Sequence, residues 1–182
     1  MSRDEIRLSG SGGQGMITAG IILGAASAVY EGRNAVTTKS YGPEARGGAA
    51  RSEVIISDEE IYYPKVLKPN IMVALTQESI DQYTSDLIEG AIVIYDSYMV
   101  KSVPDKPFKY YSMPIIKAST EEVGKTIVAN ILSLGVLNEI CKLVKDESLT
   151  KAVLERVPKG TEELNRKALE VGKRIAKESG LI

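Results

Sequence analysis

Short apolar runs alternate along the chain with longer segments in which apolar residues recur every three or four positions. One short run surrounds Ile6 and Leu8, and two continuous runs at 71–75 and 91–95 are typical of strands buried on both faces. Helical periodicity occupies residues 16–30, 76–87 and 125–144. This alternation predicts an α/β fold in which helices flank a mainly parallel sheet.

Two regions depart from the simple alternation. Apolar residues at 53–57 and 61–63 flank the acidic turn 58–60, which predicts an antiparallel hairpin and therefore a mixed sheet. Residues 148–156 and 161–179 predict two C-terminal helices separated by Pro158 and Gly160. We therefore expect one domain over residues 1–182, in which 148–182 forms a helical C-terminal extension.

Several polar residues beside these elements favour structural roles. Thr76 is placed to cap the helix that follows it, and Ser119 with Glu122 has the spacing of a capping box. Asp96 follows a buried strand, where a turn cap is the favoured reading. Asn130 lies inside an apolar helix, so its amide must find partners, and we expect these to be backbone groups.

A glycine-rich turn is the strongest candidate for chemistry. It comprises Gly10, Ser11, Gly12, Gly13, Gln14 and Gly15, between the first strand and the first helix. Glycine permits close approach of the backbone, and a helix start offers unpaired N–H groups to an anion, so the turn predicts a phosphate site. The alternative is a tight turn that lets the helix pack closely on the sheet.

The pattern around this turn is incomplete as a nucleotide signature. Its glycine spacing fits G-x-G-x-x-G, but Lys39 stands roughly where a dinucleotide fold has a ribose-binding acid. No Gly-Lys-Ser/Thr follows the turn, so the Walker motif is excluded. We therefore include Lys39 in the predicted anionic site.

A second candidate is the loop that follows Lys39. It contains Tyr41, Gly42, Pro43, Glu44, Arg46, Gly47 and Gly48, with little apolar mass. Such a loop is commonly functional or a docking surface, so we predict that it faces a partner or substrate. Arg46 and Arg51 have the guanidinium geometry that binds carboxylate or phosphate. Alternatively, they form solvated pairs with Glu44 or Glu53.

Composition narrows the functional classes. A net charge of −1, from 23 basic and 24 acidic residues, argues against a nucleic acid partner held by bulk charge. One cysteine, Cys141, and no histidine provide neither a four-cysteine metal or iron-sulfur site nor the commonest general base, so we predict no metal ligands and no catalytic residues here. The sequence shows no membrane span and no signal peptide at its start, so we expect a cytoplasmic protein.

Taken together, the motifs resemble a known family. These are the turn Gly10–Gly15, the segment Ser40-Tyr-Gly-Pro-Glu-Ala-Arg-Gly-Gly48, the strand Ser52–Ser57 and the segment around Asn130. In order and spacing they resemble the gamma subunit of 2-oxoacid:ferredoxin oxidoreductases over nearly the whole chain. The Tyr-Gly-Pro-Glu-Ala-Arg-Gly-Gly form is more similar to the 2-oxoglutarate type than to the pyruvate type, which typically carries Pro-Glu-Arg-Arg-Gly.

The resemblance implies a role in oxidative decarboxylation of a 2-oxo acid, with coenzyme A, to an acyl-CoA, carbon dioxide and reduced ferredoxin. It implies alpha and beta partners, with or without a delta subunit, that hold thiamine diphosphate and iron-sulfur clusters, whereas this chain helps to bind coenzyme A at a subunit interface. It also implies contact with ferredoxin through the complex. The alternatives are the equivalent subunit of an indolepyruvate, branched-chain or pyruvate enzyme, or a free nucleotide-binding module.

Overall fold

A six-stranded mixed sheet forms the centre of the protein. The computed structural model describes the backbone of residues 3–41 and 48–180. Its strands are β1 (Arg3–Ser11), β2 (Asn34–Tyr41), β3 (Ala49–Ser57), β4 (Ile71–Ala74), β5 (Ile92–Asp96) and β6 (Lys109–Met113). They lie in the order β2-β3-β1-β4-β5-β6. The pairs β1–β4, β4–β5 and β5–β6 are parallel, and the pairs β1–β3 and β2–β3 are antiparallel. The predicted α/β fold with a mixed sheet is confirmed.

Helices cover both faces of this sheet unequally. They are α1 (Met16–Glu31), α2 (Gln77–Tyr83), α3 (Ile115–Ala118), α4 (Ala129–Cys141), α5 (Asp146–Arg156) and α6 (Glu162–Glu178). Because successive strand residues face opposite ways, Ile71 and Val73 of β4 join the large core with α1, α4, α5 and α6. Met72 and Ala74 join a smaller core with Ile80 of α2 on the other face. The predicted division at residue 148 stays a prediction.

The predicted hairpin between residues 53–57 and 61–63 is wrong. Residues 53–57 do form the end of β3, but residues 61–63 lie in an irregular segment. Strand β3 pairs instead with β1 and β2, so that Val54 lies opposite both Ile6 and Thr37. Both edges of β3 are therefore hydrogen-bonded to long strands, which gives more backbone hydrogen bonds than a short hairpin with residues 61–63 would provide.

Three predicted helix boundaries also need correction. Helix α2 ends at Tyr83, where the hydroxyl of Thr84 donates to the carbonyl of Ile80, 2.8 Å away. Ser119 opens no helix: α3 continues into a π-helical turn, and the Ser119 hydroxyl donates backwards to the carbonyl of Ile116. Helix α4 begins only at Ala129, after a 3₁₀ turn in which Ile127 is 75% exposed rather than buried.

Helix α1 lies unusually close to the sheet. A Cβ atom added to Gly20 would lie 2.7 Å from Cβ of Ser52, and one added to Gly24 would lie 2.5 Å from Oγ1 of Thr37. Real Cβ atoms do not approach so closely, so only glycine fits at these two positions. Close packing of α1 on the sheet therefore depends on these two glycines within the helix.

A buried arginine connects the sheet to the segment after α2. The side chain of Arg7 is 2% exposed and forms ion pairs with Glu53 (2.7 Å) and Asp86 (2.6 Å). Burial disfavours the charge of Arg7, but hydrogen bonds to Asp86 and Glu53 outweigh it and raise its pKa. The same hydrogen bonding from Arg7 lowers the pKa of Asp86, so this stabilisation is present above the ordinary aspartate pKa and is lost as the pH falls through the lowered value.

We predict that Arg7→Met lowers the free energy of unfolding by about 2 to 4 kcal/mol, because it leaves the poorly exposed Glu53 without its cation. Urea unfolding at pH 7 measures the change. The control is Arg166→Met, whose pair with Glu163 is exposed and should contribute less than about 1 kcal/mol. Equal, small losses in both variants would contradict a structural role for the Arg7 ion pairs.

Candidate functional site

The glycine-rich turn lies at the carboxyl end of β1 and is closed by its own hydrogen bonds. Gln14 accepts the amide of Ser11 at its side-chain Oε1 (2.8 Å), and its own amide donates to the carbonyl of Ser11 (3.1 Å). The amide of Gly12 donates to the carbonyl of Gly48, 3.0 Å away. Gly10 lies beneath Gln14, whose Oε1 would clash with a Cβ there. Three members of the turn are thus occupied in holding its shape.

The remaining backbone N–H groups of the turn are available as donors to a ligand. Within the part of the chain that the structure describes, no acceptor pairs with the N–H groups of Gly13 and Gly15 or of the first helical residues, Met16, Ile17 and Thr18. Helix α1 has no acidic residue in its first turn, so nothing on the helix neutralises the positive end of its dipole. These groups form a donor cluster suited to an anion.

A shallow depression lies over these amides. It has a volume of about 220 Å³, and its lining residues are Ser11, Gly12, Gly13, Gly15, Met16, Ile17 and Ala50. Pockets that enclose a whole cofactor usually hold about 300 to 1,000 Å³. The depression is therefore smaller than such a pocket, and a whole cofactor bound at the turn would extend beyond it.

Backbone geometry explains two of the glycines. Gly13 and Gly15 have φ angles of 93° and 75°, in the left-handed region that side chains disfavour. At Gly15 a Cβ would also lie 2.5 Å from Nδ2 of Asn130, which donates to the carbonyl of Gly15 (3.1 Å). Oδ1 of Asn130 accepts from the amide of Ile131 (2.9 Å). The amide of Asn130 therefore serves backbone groups, as expected, and it fixes α4 against the turn.

Lys39 lies outside the depression. It is exposed on β2, opposite Ser52 of β3, which in turn lies opposite Leu8 of β1. Two strand spacings therefore separate Lys39 from β1, roughly 10 Å across the sheet. The inclusion of Lys39 in the anionic site stays a prediction, and at this separation any attraction to an anion at the turn would be long-range and screened by salt.

The predicted partner loop is described only at its ends. Tyr41 ends β2, and its side chain lies outside the described residues, as do Gly42, Pro43, Glu44, Arg46 and Gly47 entirely. Gly48 is described and holds the glycine turn through its carbonyl. The partner-facing role of this loop stays a prediction.

The arginine that follows the loop, Arg51, contacts an aromatic ring, and its other expected partner, Glu44, lies outside the described residues. The guanidinium of Arg51 lies 5.0 Å from the centre of the Tyr83 ring, and its buried Nε has no hydrogen-bond partner among the described residues. Glu53 pairs with Arg7 instead. Sequence reasoning missed Arg7, although a charged residue between Ile6 and Leu8 in a buried strand is a recognisable signal of a paired charge.

The side chains of Asp96 and Cys141 have structural roles and are not candidates for a reactive site. Asp96 is fully buried at the end of β5 and accepts the amides of Tyr98, Met99 and Ile116 at 2.7 to 2.9 Å, which is the predicted turn cap. Burial raises the pKa of the Cys141 thiol to about 12, which makes it inert as a nucleophile near neutral pH.

Over residues 3–41 and 48–180, no cluster of three or more metal-ligating side chains occurs. None of the described helices is long and apolar enough to cross a membrane.

Comparison with known proteins decides the family. The sequence profile of the pyruvate ferredoxin/flavodoxin oxidoreductase family matches residues 5–175. The chain belongs to this family. The gamma subunit of a keto/oxoacid ferredoxin oxidoreductase from Geobacter sulfurreducens PCA has the same fold, with a TM-score of 0.90, 43% identity and 98% of each chain covered.

Relatives within the family differ in their similarity. The 2-oxoglutarate synthase subunit KorC of Methanocaldococcus jannaschii is 51% identical, over 97% of this chain and 95% of the relative. The pyruvate synthase subunit PorC of the same organism is 31% identical, over 92% and 93%. The ketoisovalerate oxidoreductase subunit VorA of Methanothermobacter thermautotrophicus is 32% identical over 96% of this chain, which spans 37% of VorA.

A larger solved protein contains the same fold. It is a 2-oxoglutarate:ferredoxin oxidoreductase from Magnetococcus marinus with 2-oxoglutarate, coenzyme A and succinyl-CoA bound. Its TM-score is 0.86 at 24% identity, and the match covers 98% of this chain and 32% of that one. In both VorA and the Magnetococcus marinus protein, the segment similar to our chain is about a third of a longer polypeptide.

We predict that Gly15→Ala destabilises the protein more than Gly13→Ala. Both changes impose a left-handed conformation on alanine, at a cost of about 1 to 2 kcal/mol. Only the first also places Cβ against Asn130, since no atom lies within 4 Å at Gly13.

Urea unfolding of the double variant Gly15→Ala/Asn130→Ala checks this mechanism. Removing the Asn130 amide relieves the clash, so the two changes should destabilise by less than the sum of their separate effects. Strict additivity would show that Asn130 does not restrict Gly15.

Proposed function

We propose that this chain is the gamma subunit of a 2-oxoglutarate:ferredoxin oxidoreductase. The complex would convert 2-oxoglutarate and coenzyme A to succinyl-CoA, carbon dioxide and reduced ferredoxin. The observation that carries this proposal is the contrast within one organism: the chain is 51% identical to the 2-oxoglutarate synthase subunit and 31% identical to the pyruvate synthase subunit. The branched-chain relative is equally distant, at 32%.

The division of labour follows from the side chains that this chain has. With no histidine, and with a single cysteine whose thiol is protonated at neutral pH, it is poorly equipped for acid-base chemistry or cluster ligation. We therefore assign thiamine diphosphate and the iron-sulfur clusters to the alpha, beta and delta partners, which also contact ferredoxin. The cytoplasmic location expected from the sequence is part of this proposal.

The role of this chain is to help bind coenzyme A. The free amides of Gly13, Gly15 and the first turn of α1 would donate to a phosphate, and the helix dipole would favour its charge. Gly10, Ser11, Gly12 and Gln14 would support this site by holding the turn in shape. Because the depression is smaller than the cofactor, the rest of coenzyme A would lie against a partner subunit, which accords with the shared site implied by the sequence.

The substrate assignment is tested on the assembled complex. We predict a higher kcat/KM for 2-oxoglutarate than for pyruvate, 2-oxoisovalerate or indolepyruvate in coenzyme A-dependent ferredoxin reduction. The isolated chain should reduce no ferredoxin with any of them. A complex that prefers one of the other acids would place the chain in the corresponding alternative class, and turnover by the isolated chain would overturn the division of labour.

The coenzyme A site is tested by Gly13→Val in the same complex. A side chain at φ 93° forces the turn to rearrange and misplaces its free amides. A hydrogen bond to a charged group contributes about 1.5 to 3 kcal/mol, so the KM for coenzyme A should rise about 10- to 100-fold. The KM for the 2-oxo acid should change little.

The matched control is Gly90→Val. Gly90 has a φ of 78°, and no atom of the described residues lies within 4 Å of an added Cβ. It precedes β5 at the amino end of the parallel strands, whereas the glycine turn follows the carboxyl end of β1. It therefore carries the same backbone strain away from the turn. If both variants raise the KM for coenzyme A equally, or if Gly13→Val only lowers the melting temperature, the turn serves packing alone.

A further inference from the structure

The solvent-facing side of α1 is apolar, and this sets α1 apart from the other long helices. Ala28 and Val29 are exposed and Ile17, Ile21 and Ala25 are partly exposed, and we name these five residues the α1 stripe. Steps of four residues from Ile17 to Val29, with Ala28 beside Val29, place them on one side of the helix over roughly 18 Å. Val29 is 71% exposed. The α1 stripe contains no charged residue.

Helices α5 and α6 differ from α1 in the residues that they expose to solvent. Every exposed residue of α6 is charged, including Glu163, Arg166 and Lys167. Every exposed residue of α5 is charged as well. The first charged residue of α1 is Glu31, at its last position. A helix that is apolar on all sides is normally buried on all sides, so the α1 stripe is suited to a protein partner rather than to water.

Folding accounts for only part of the stripe. The inner side of α1 packs on the sheet through Gly20 and Gly24 and on the main core through Ile22, Leu23 and Ala26. Ala25 also packs against that core, whereas Ile17, Ile21, Ala28 and Val29 belong neither to it nor to the partly buried residues packed against it.

The stripe is continuous with the proposed ligand site. Ile17 begins the stripe and also lines the depression over the glycine turn. The depression is too small for a whole cofactor, so a partner seated on the stripe would also close the ligand site. Strand β2, against which α1 packs, is an edge strand of the sheet.

We propose that the α1 stripe binds the separate subunit that carries the remainder of the longer relatives' polypeptide. In VorA and in the Magnetococcus protein, a segment similar to our chain is joined covalently to about twice its own length of further chain. In relatives that match along nearly their whole length, such as the Methanocaldococcus jannaschii subunit (95% covered) and the Geobacter gamma subunit (98% covered), the equivalent contact has to form between separate polypeptides. This inference rests on the proposed function, since it requires the oxidoreductase complex.

Exposed apolar residues elsewhere are less suited to this role. Tyr62, Tyr63 and Leu67 are exposed in the irregular segment after β3. Charged residues, among them Lys65 and Lys68, are interspersed with them. The amides of Leu67 and Lys68 donate to Glu5 at the amino end of β1, so this segment lies at the opposite edge of the sheet from the glycine turn. Leu67, 61% exposed, supplies the matched control.

The experiment is co-purification of the tagged chain after co-expression with the other subunits of its oxidoreductase. Ile21→Lys and Val29→Lys should each weaken subunit association by about a hundredfold or more, because an interface core rarely accepts an unpaired charge. The isolated Val29→Lys variant should keep the wild-type melting temperature, since Val29 is 71% exposed and lies outside the core. Leu67→Lys should co-purify like the wild type.

Three results would overturn the inference. The first is stoichiometric co-purification of both stripe variants. The second is an isolated wild-type chain that forms a dimer by light scattering, with Ile21→Lys monomeric yet still assembling, because the stripe would then join two copies. The third is failure of the wild-type chain itself to assemble with those subunits, which would refute the proposed function and this inference with it. The first result, unlike the third, would refute this inference alone and leave the proposed function standing.

Discussion

The close contact between α1 and the sheet is the constraint on which the rest of this structure depends. Because Gly20 and Gly24 leave no room for side chains, the helix axis lies near β2 and β3 along its length. The start of α1 is thereby fixed at the carboxyl end of β1, where the glycine turn connects the two elements. Asn130 of α4 then secures the turn from the other side. Packing is therefore the task of Gly20 and Gly24 within the helix, and the phosphate site that we propose uses Gly13 and Gly15 in the turn before it.

The fold shows which sequence signals are reliable. Continuous apolar runs placed β4 and β5 correctly, since strands buried on both faces have no polar alternation to obscure them. Local signals were less successful where long-range contacts compete with them. The acidic turn at 58–60 resembles a hairpin, but β3 gains more by pairing with β1 and β2. Ser119 has capping-box spacing, yet the chain reaches it already helical from α3.

The place of the glycine turn between β1 and α1 was predictable from the sequence, and its hydrogen bonding was not. No pattern reveals that Gly12 and Gln14 use their amides within the protein while those of Gly13 and Gly15 have no acceptor among the described residues. The partner of Gly12 depends on where Gly48, just before β3, lies in the fold, which is a tertiary fact. Lys39 was placed near the site by its distance along the chain, whereas the strand order puts β3 between β2 and β1. The apolar periodicity of α1 was evident, but only the packing of its inner side reveals which face is left for a partner.

Hydrogen exchange of the amides at residues 13–18, followed by mass spectrometry, tests the central claim most directly. The claim is that these free amides bind the phosphate of coenzyme A when partner subunits complete the site. In the assembled complex, saturating coenzyme A should slow exchange of this peptide, with little change in the peptide that contains Gly90. In the isolated chain the same addition should have a much smaller effect. Unchanged exchange at residues 13–18 in the assembled complex, with protection elsewhere, would contradict the account.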